Sequence, residues 1–206
     1  MKNIKYILFI ILAFLVFSPA KSQAQETEIF LGYNFGIPLP DSKDWVSNVS
    51  YYGLELNFKK FLKPEVSVSL SLAWNVFYQE TSDVISLKNS DVSGLQNRYI
   101  NTFPMLAGVQ YYFGNKNSIR PYIGGNLGAL YSTRRMQIGI YDATDYKWRF
   151  MVQPEAGVLF PIDRMSDIAF GVTYNYGFPA ASEITGKDIT ESWIGIKLSY
   201  GWKAGF

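Results

Sequence analysis

From Glu28 onward, apolar and polar residues trade places at every second position, in eight successive segments. The third is the clearest. Val66, Val68, Leu70, Leu72, Trp74, Val76 and Tyr78 take one parity, while Ser67, Ser69, Ser71, Ala73, Asn75 and Phe77 take the other. A β-strand sends successive side chains to opposite faces, so this period predicts a sheet with one apolar face and one small, polar face. The apolar row recurs as Ile29 to Ile37, Tyr52 to Phe58, Phe103 to Phe113, Ile119 to Tyr131, Trp148 to Phe160, Ile168 to Tyr176 and Ile194 to Trp202. Helical periodicity is nearly absent after Gln25.

The connections alternate as well. Leu62–Pro64, Gly114–Ser118 and Ile162–Ser166 are short, whereas Pro38–Asn48, Gln79–Asn97, Ser132–Lys147 and Gly177–Thr190 are long. Short turns on one side and long loops on the other are the layout of a barrel crossing a membrane, and most segments reach the roughly 9–11 residues a tilted strand needs to cross. Aromatics cluster at both ends of the apolar rows: Tyr52, Tyr78, Tyr131, Trp148 and Tyr176 beside the long loops, and Phe58, Phe113, Phe160, Tyr200 and Trp202 beside the short turns. Rings with one apolar and one polar side settle at the headgroup level. The expected fold is all-β: an eight-stranded antiparallel up-and-down transmembrane β-barrel over residues 25–206.

The first 24 residues follow another plan. Lys2 and Lys5 precede an apolar run from Tyr6 to Phe17, then Ser18-Pro19-Ala20 and Ser22-Gln23-Ala24. That is a signal peptide, with cleavage expected after Ala24. Its three lysines include Lys21, and their loss takes the net charge from +2 to −1. A basic nucleic-acid footprint is therefore not expected. The chain contains no Cys and no His. Disulfides, thiolate sites and imidazole-based catalysis are excluded, so the chain is expected not to be an enzyme and to use no cofactor or metal.

Two stretches carry a resemblance. Ile196, Leu198, Tyr200, Trp202, Ala204 and Phe206 form an alternating row ending on Phe, which resembles the last strand of bacterial outer-membrane barrels. Pro104 to Phe113, followed by Arg120 to Gly128, is similar to the OmpA/OmpX/OmpW-like group, often labelled "porin family" in Gram-negative envelopes. The resemblance implies integral outer-membrane localisation, contact with outer-membrane lipids and lipopolysaccharide, and reading of Tyr200, Trp202 and Phe206 as an assembly signal by the barrel-assembly machinery. It names no extracellular partner.

Eight strands leave a lumen that side chains can fill. The inward parity carries Glu28, Glu55, Lys59, Arg120, Arg149, Glu155 and Lys197. Confined charges pair or hold water, so these are the candidate site residues, with Glu55, Glu155 and Lys197 mid-barrel and Glu28, Lys59 and Arg120 nearer the short-turn mouth. Such a network suits either a stabilising plug or a narrow channel for small solutes. Asp83, Asp91, Asp142, Asp145, Glu183, Asp188 and Glu191 are read as solvated loop acids, and the long loops as the place for surface binding. Gln79–Asn97 and Arg134–Tyr141, the latter with Met136, Ile138 and Ile140 on one face, suit hairpins that extend the barrel above the membrane.

Overall fold

The computed structural model describes residues 26–82, 85–86, 91–92 and 94–204; the expected leader and the terminal Phe206 lie outside the described residues. The strands are β1 (Thr27–Pro38), β2 (Tyr52–Lys63), β3 (Val66–Thr81), the short β4 (Ile85–Ser86) and β5 (Asp91–Val92), β6 (Gln96–Tyr112), β7 (Arg120–Ile138), β8 (Tyr141–Pro161), β9 (Ser166–Ala181) and β10 (Asp188–Ala204). A one-turn helix, α1 (Pro40–Lys43), follows β1. Eight strands form a closed ring in the order β1-β10-β9-β8-β7-β6-β3-β2, every pair antiparallel, while β4 and β5 pair apart from it.

The stagger of the ring can be followed residue by residue. From Ile29, successive partners are Phe58, Leu70, Ala107, Leu127, Val152, Tyr176 and Ser192. Ser192 returns to β1 at Leu39, whose amide donates to the Ser192 carbonyl. The ladder thus closes ten residues above its starting point, from Ile29 to Leu39. With ordinary strand spacing and rise, this stagger tilts the strands by roughly 40°.

The two parities separate as the alternation predicts. Leu54, Leu72, Val109, Ile123, Leu127, Phe150, Phe170 and Leu198 stand exposed on the outer wall, while Asn57, Ser67, Ser69, Gln110, Asn126 and Thr173 are buried inside. So continuous an apolar exterior belongs against lipid. Rings pack on one another in both girdles: across strands, Trp74 stacks on Phe103 at 5.9 Å and Tyr131 meets Trp148 at 5.1 Å at the long-loop end. Tyr200 lies edge-on to Trp202 at 4.8 Å at the short-turn end.

The hairpin extensions expected of two of the long connections are present: Ser132–Lys147 is almost all strand, and the strands flanking Gln79–Asn97 run on into it. β7 and β8 pair out to Ile138 and Tyr141, turning at Gly139, whose φ of +55° suits glycine. β3 and β6 pair out to Thr81 and Gln96. Together they carry a sheet beyond the aromatic girdle. Within it Arg135 donates to Asp142 (Nε to Oδ2, 2.8 Å), which holds the Asp142 carboxyl below its ordinary range. A depressed carboxyl contributes stability above its unfolded value and loses it as the pH falls, so this exposed pair weakens in acid.

Aromatics fill the lumen near each end. Phe30, Phe61, Tyr112, Tyr122, Leu159 and Ala169 pack near the short turns. Phe77, Ile100, Leu106, Leu130, Met151 and Trp193 pack near the loops, topped by Trp45 and Val46 from the segment after α1. Glycine makes room for these rings. A Cβ on Gly171 would sit 2.8 Å from the Tyr122 hydroxyl and 3.1 Å from Lys197 Cε. Gly171→Ala should cost about 1–3 kcal/mol through overpacking, and less in a Tyr122→Phe background. Urea titration of refolded protein, followed by the gel shift between folded and unfolded forms, measures both.

Candidate functional site

Strand register brings the inward charges to three levels. In the middle, Lys197 on β10 places Nζ 2.6 Å from Glu155 Oε2 on β8 and 3.5 Å from Glu55 Oε1 on β2. These residues are separated by up to 142 positions in sequence. Glu55 also accepts from Ser71 Oγ at 3.0 Å, Asn57 Nδ2 at 3.2 Å and Asn34 Nδ2 at 3.4 Å. An amide relay continues around the wall: Gln110 Nε2 donates to Asn126 Oδ1 at 3.1 Å, Asn126 Nδ2 to Gln153 Oε1 at 2.9 Å, and Gln153 Nε2 to Asn175 Oδ1 at 2.7 Å. The buried charges are compensated through both ion pairs and directed hydrogen bonds, the condition under which they are tolerated in a low dielectric.

Towards the short turns the cations sit on rings. Lys59 Nζ donates to Tyr112 Oη at 3.0 Å and lies 4.7 Å from the Phe30 centroid and 5.0 Å from that of Tyr122. The Arg120 guanidinium lies 5.2 Å from the Phe61 ring and 5.0 Å from that of Tyr112, and donates to the Pro64 carbonyl at 3.0 Å. Quadrupole attraction replaces part of the water these cations lose. Glu28 lies nearer the mouth, buried on β1.

Arg149 stands at the opposite end from that group. Its Nη2 is 3.7 Å from Glu191 Oε1, which also pairs with Arg134 Nε at 2.6 Å. Glu191 Oε2 accepts from Ser42 Oγ at 2.8 Å, tying α1 to the barrel. Above the cluster, the Trp45 ring lies between two guanidinium groups, Arg98 and Arg134, each 5.7 Å away. These contacts span the loop-side mouth.

Glu191 and Asp145 correct the sequence reading, which set both among solvated loop acids. Glu191 is 0% exposed and Asp145 only 3%, the latter 3.1 Å from Lys147 Nζ. The strands run past the expected loop boundaries, so the inward parity of Lys197, Gly195 and Trp193 continues to Glu191. Arg134 on β7 was missed for the same reason. Extending each parity into its neighbouring loop would have found all three.

No protein-family profile and no curated protein sequence matches the chain. Solved structures do match, over nearly the whole of both chains. Ail, the attachment invasion locus protein of Yersinia pestis, solved with the heparin analogue sucrose octasulfate, is 16% identical at a TM-score of 0.56, covering 88% of this chain and 100% of its own. The outer membrane protein OprG of Pseudomonas aeruginosa is 15% identical at a TM-score of 0.53, covering 89% and 98%. Neisserial surface protein A is 13% identical at a TM-score of 0.51, covering 88% and 97%. The fold is that of the small outer-membrane β-barrels. At these identities the likeness concerns architecture, and activity has to be read from this barrel's own residues.

Glu191 gives the sharpest contrast with the surface. Glu191→Ala leaves Arg134 and Arg149 without their buried carboxylate and should cost about 3–5 kcal/mol. Asp142→Ala removes an exposed, solvent-screened pair and should leave stability nearly unchanged. Urea unfolding in the same lipid or detergent compares the two variants.

Proposed function

We propose that the protein is an integral outer-membrane barrel without enzymatic activity, closed through its lumen and acting at its long-loop surface. The observation that carries this reading is the set of contacts that spans the loop-side mouth. Arg134, Arg149 and Glu191 join β7, β8 and β10 across the loop-side mouth, Ser42 ties α1 to them, and Trp45 caps the cluster. Below it, Lys197 bridges Glu155 and Glu55 from β8 to β2. A continuous water path would have to break ion pairs at two levels.

The apolar wall, the paired girdles and the likeness to outer-membrane barrels support outer-membrane localisation, with lipids and lipopolysaccharide as the surrounding partners. In this orientation the short turns and both chain ends face the periplasm. Tyr200 and Trp202 present their rings outward on the last strand, as an assembly signal for the barrel-assembly machinery requires, with Phe206 outside the described residues. The lack of any His or Cys supports a non-enzymatic role. The extended sheet of β3, β6, β7 and β8 supplies a rigid platform for surface binding, and its turn exposes Ile140 almost completely.

Planar-bilayer recordings on refolded protein test the closure. The expected result is no steady conductance. A steady conductance altered by Lys197→Ala overturns the closed reading and establishes the narrow channel instead. On gels, folded and boiled samples should migrate differently, and the folded protein should require detergent; solubility without detergent and no shift would refute a membrane barrel.

A further inference from the structure

At the short-turn mouth, periplasmic in the proposed orientation, Glu28 and Asp167 are each only 1% exposed. None of their four carboxyl oxygens has a hydrogen-bond partner. The two residues stand on β1 and β9 with β10 between them. Gly201 of β10 is the register partner of both Phe30 and Asp167. Having no side chain, it lets the Phe30 ring lie against it. The Glu28 and Asp167 carboxyls, both inward on either side of β10, lie within reach of one another.

The surrounding charges compensate this pair only in part. Lys203 Nζ lies 3.0 Å from Asp167 Oδ1, outside hydrogen-bonding direction, and 3.8 Å from Glu26 Oε1. Lys116 is taken by Glu26 at 2.7 Å. Lys59 is the register partner of Glu28 on β2, yet its ammonium turns towards Tyr112, Phe30 and Tyr122. One ammonium therefore faces two buried carboxyls. Two adjacent acids in such a place do not both ionise at neutral pH, and a proton between them supplies the donor that their oxygens lack. A cavity of about 450 Å³ at the mouth, lined in part by Glu26, Lys116, Arg164 and Lys203, brings solvent to Lys203, the cation beside Asp167.

We propose that Glu28 and Asp167 share a single proton, and that this proton locks the mouth where the first and last strands of the barrel meet. While it is held, an O–H···O bond ties β1 to β9 across Gly201. When the pH rises and the proton leaves, two buried carboxylates face each other with only Lys203 between them. The mouth then loosens.

Infrared spectroscopy and unfolding kinetics on the full refolded chain test the lock. At neutral pH the wild-type spectrum should contain the C=O stretch of a protonated carboxyl, absent from both Glu28→Gln and Asp167→Asn. Wild-type unfolding in urea should quicken as the pH rises above neutral, by about tenfold per unit of separation between the folded and unfolded titrations. Glu28→Gln keeps a donor for Asp167 and should unfold at a rate independent of pH over that range. Absence of the protonated band, or its persistence in both variants, overturns the proposal. So does wild-type unfolding that slows as the pH rises, which would mean that both carboxylates are ionised and paired with Lys203. Should Glu28→Gln fail to refold, Asp167→Asn and the wild-type pH profile decide alone.

Discussion

Closure of the hydrogen-bond ladder is the constraint from which the rest of this molecule follows. A strand in lipid has no water to satisfy its amides, so each strand must have a partner on both sides, and only a ring provides this. Eight strands closing ten residues out of step fix both the tilt and the bore. The bore is too narrow to be lined without being filled. Every inward side chain meets others from across the ring, and glycine must stand wherever a large ring crosses, as at Gly171 beside Tyr122 and Gly201 beside Phe30.

That narrowness determines how the interior charges behave. In a wide pore, Lys197 and Glu155 would face water. Here they are 2.6 Å apart, and the remaining acceptors of Glu55 are occupied by Ser71, Asn57 and Asn34. Lys59 and Arg120, nearer the short-turn mouth, have aromatic neighbours in place of carboxylates. The loop-side mouth uses both devices together, with Glu191 beneath and Trp45 against two guanidinium groups. Glu28 and Asp167 are the exception among the described residues, two buried acids that share one nearby ammonium, Lys203, and accept no hydrogen bond.

Much of this was legible along the chain because the membrane enforces alternation without compromise. The outward rows, the girdles and the inward positions of Glu55, Glu155 and Lys197 follow from parity alone. The reading failed where parity was abandoned too early. Arg134, Asp145 and Glu191 lie in segments rich in charge and turn formers, which look like loops, yet the ladder carries them inward above the membrane. Trp45 and Val46 fail differently: they lie outside any alternating segment, and only the docking of α1 shows that they enter the barrel.

The sequence by itself determined the number of strands, the face of each residue and the apolar medium outside, since all three are local consequences of a period of two. The tertiary structure alone decided which inward charge meets which. Partners such as Glu55 and Lys197 lie 142 residues apart and are joined by the stagger of the closed ring. Stagger belongs to the ring as a whole, so no single segment contains it.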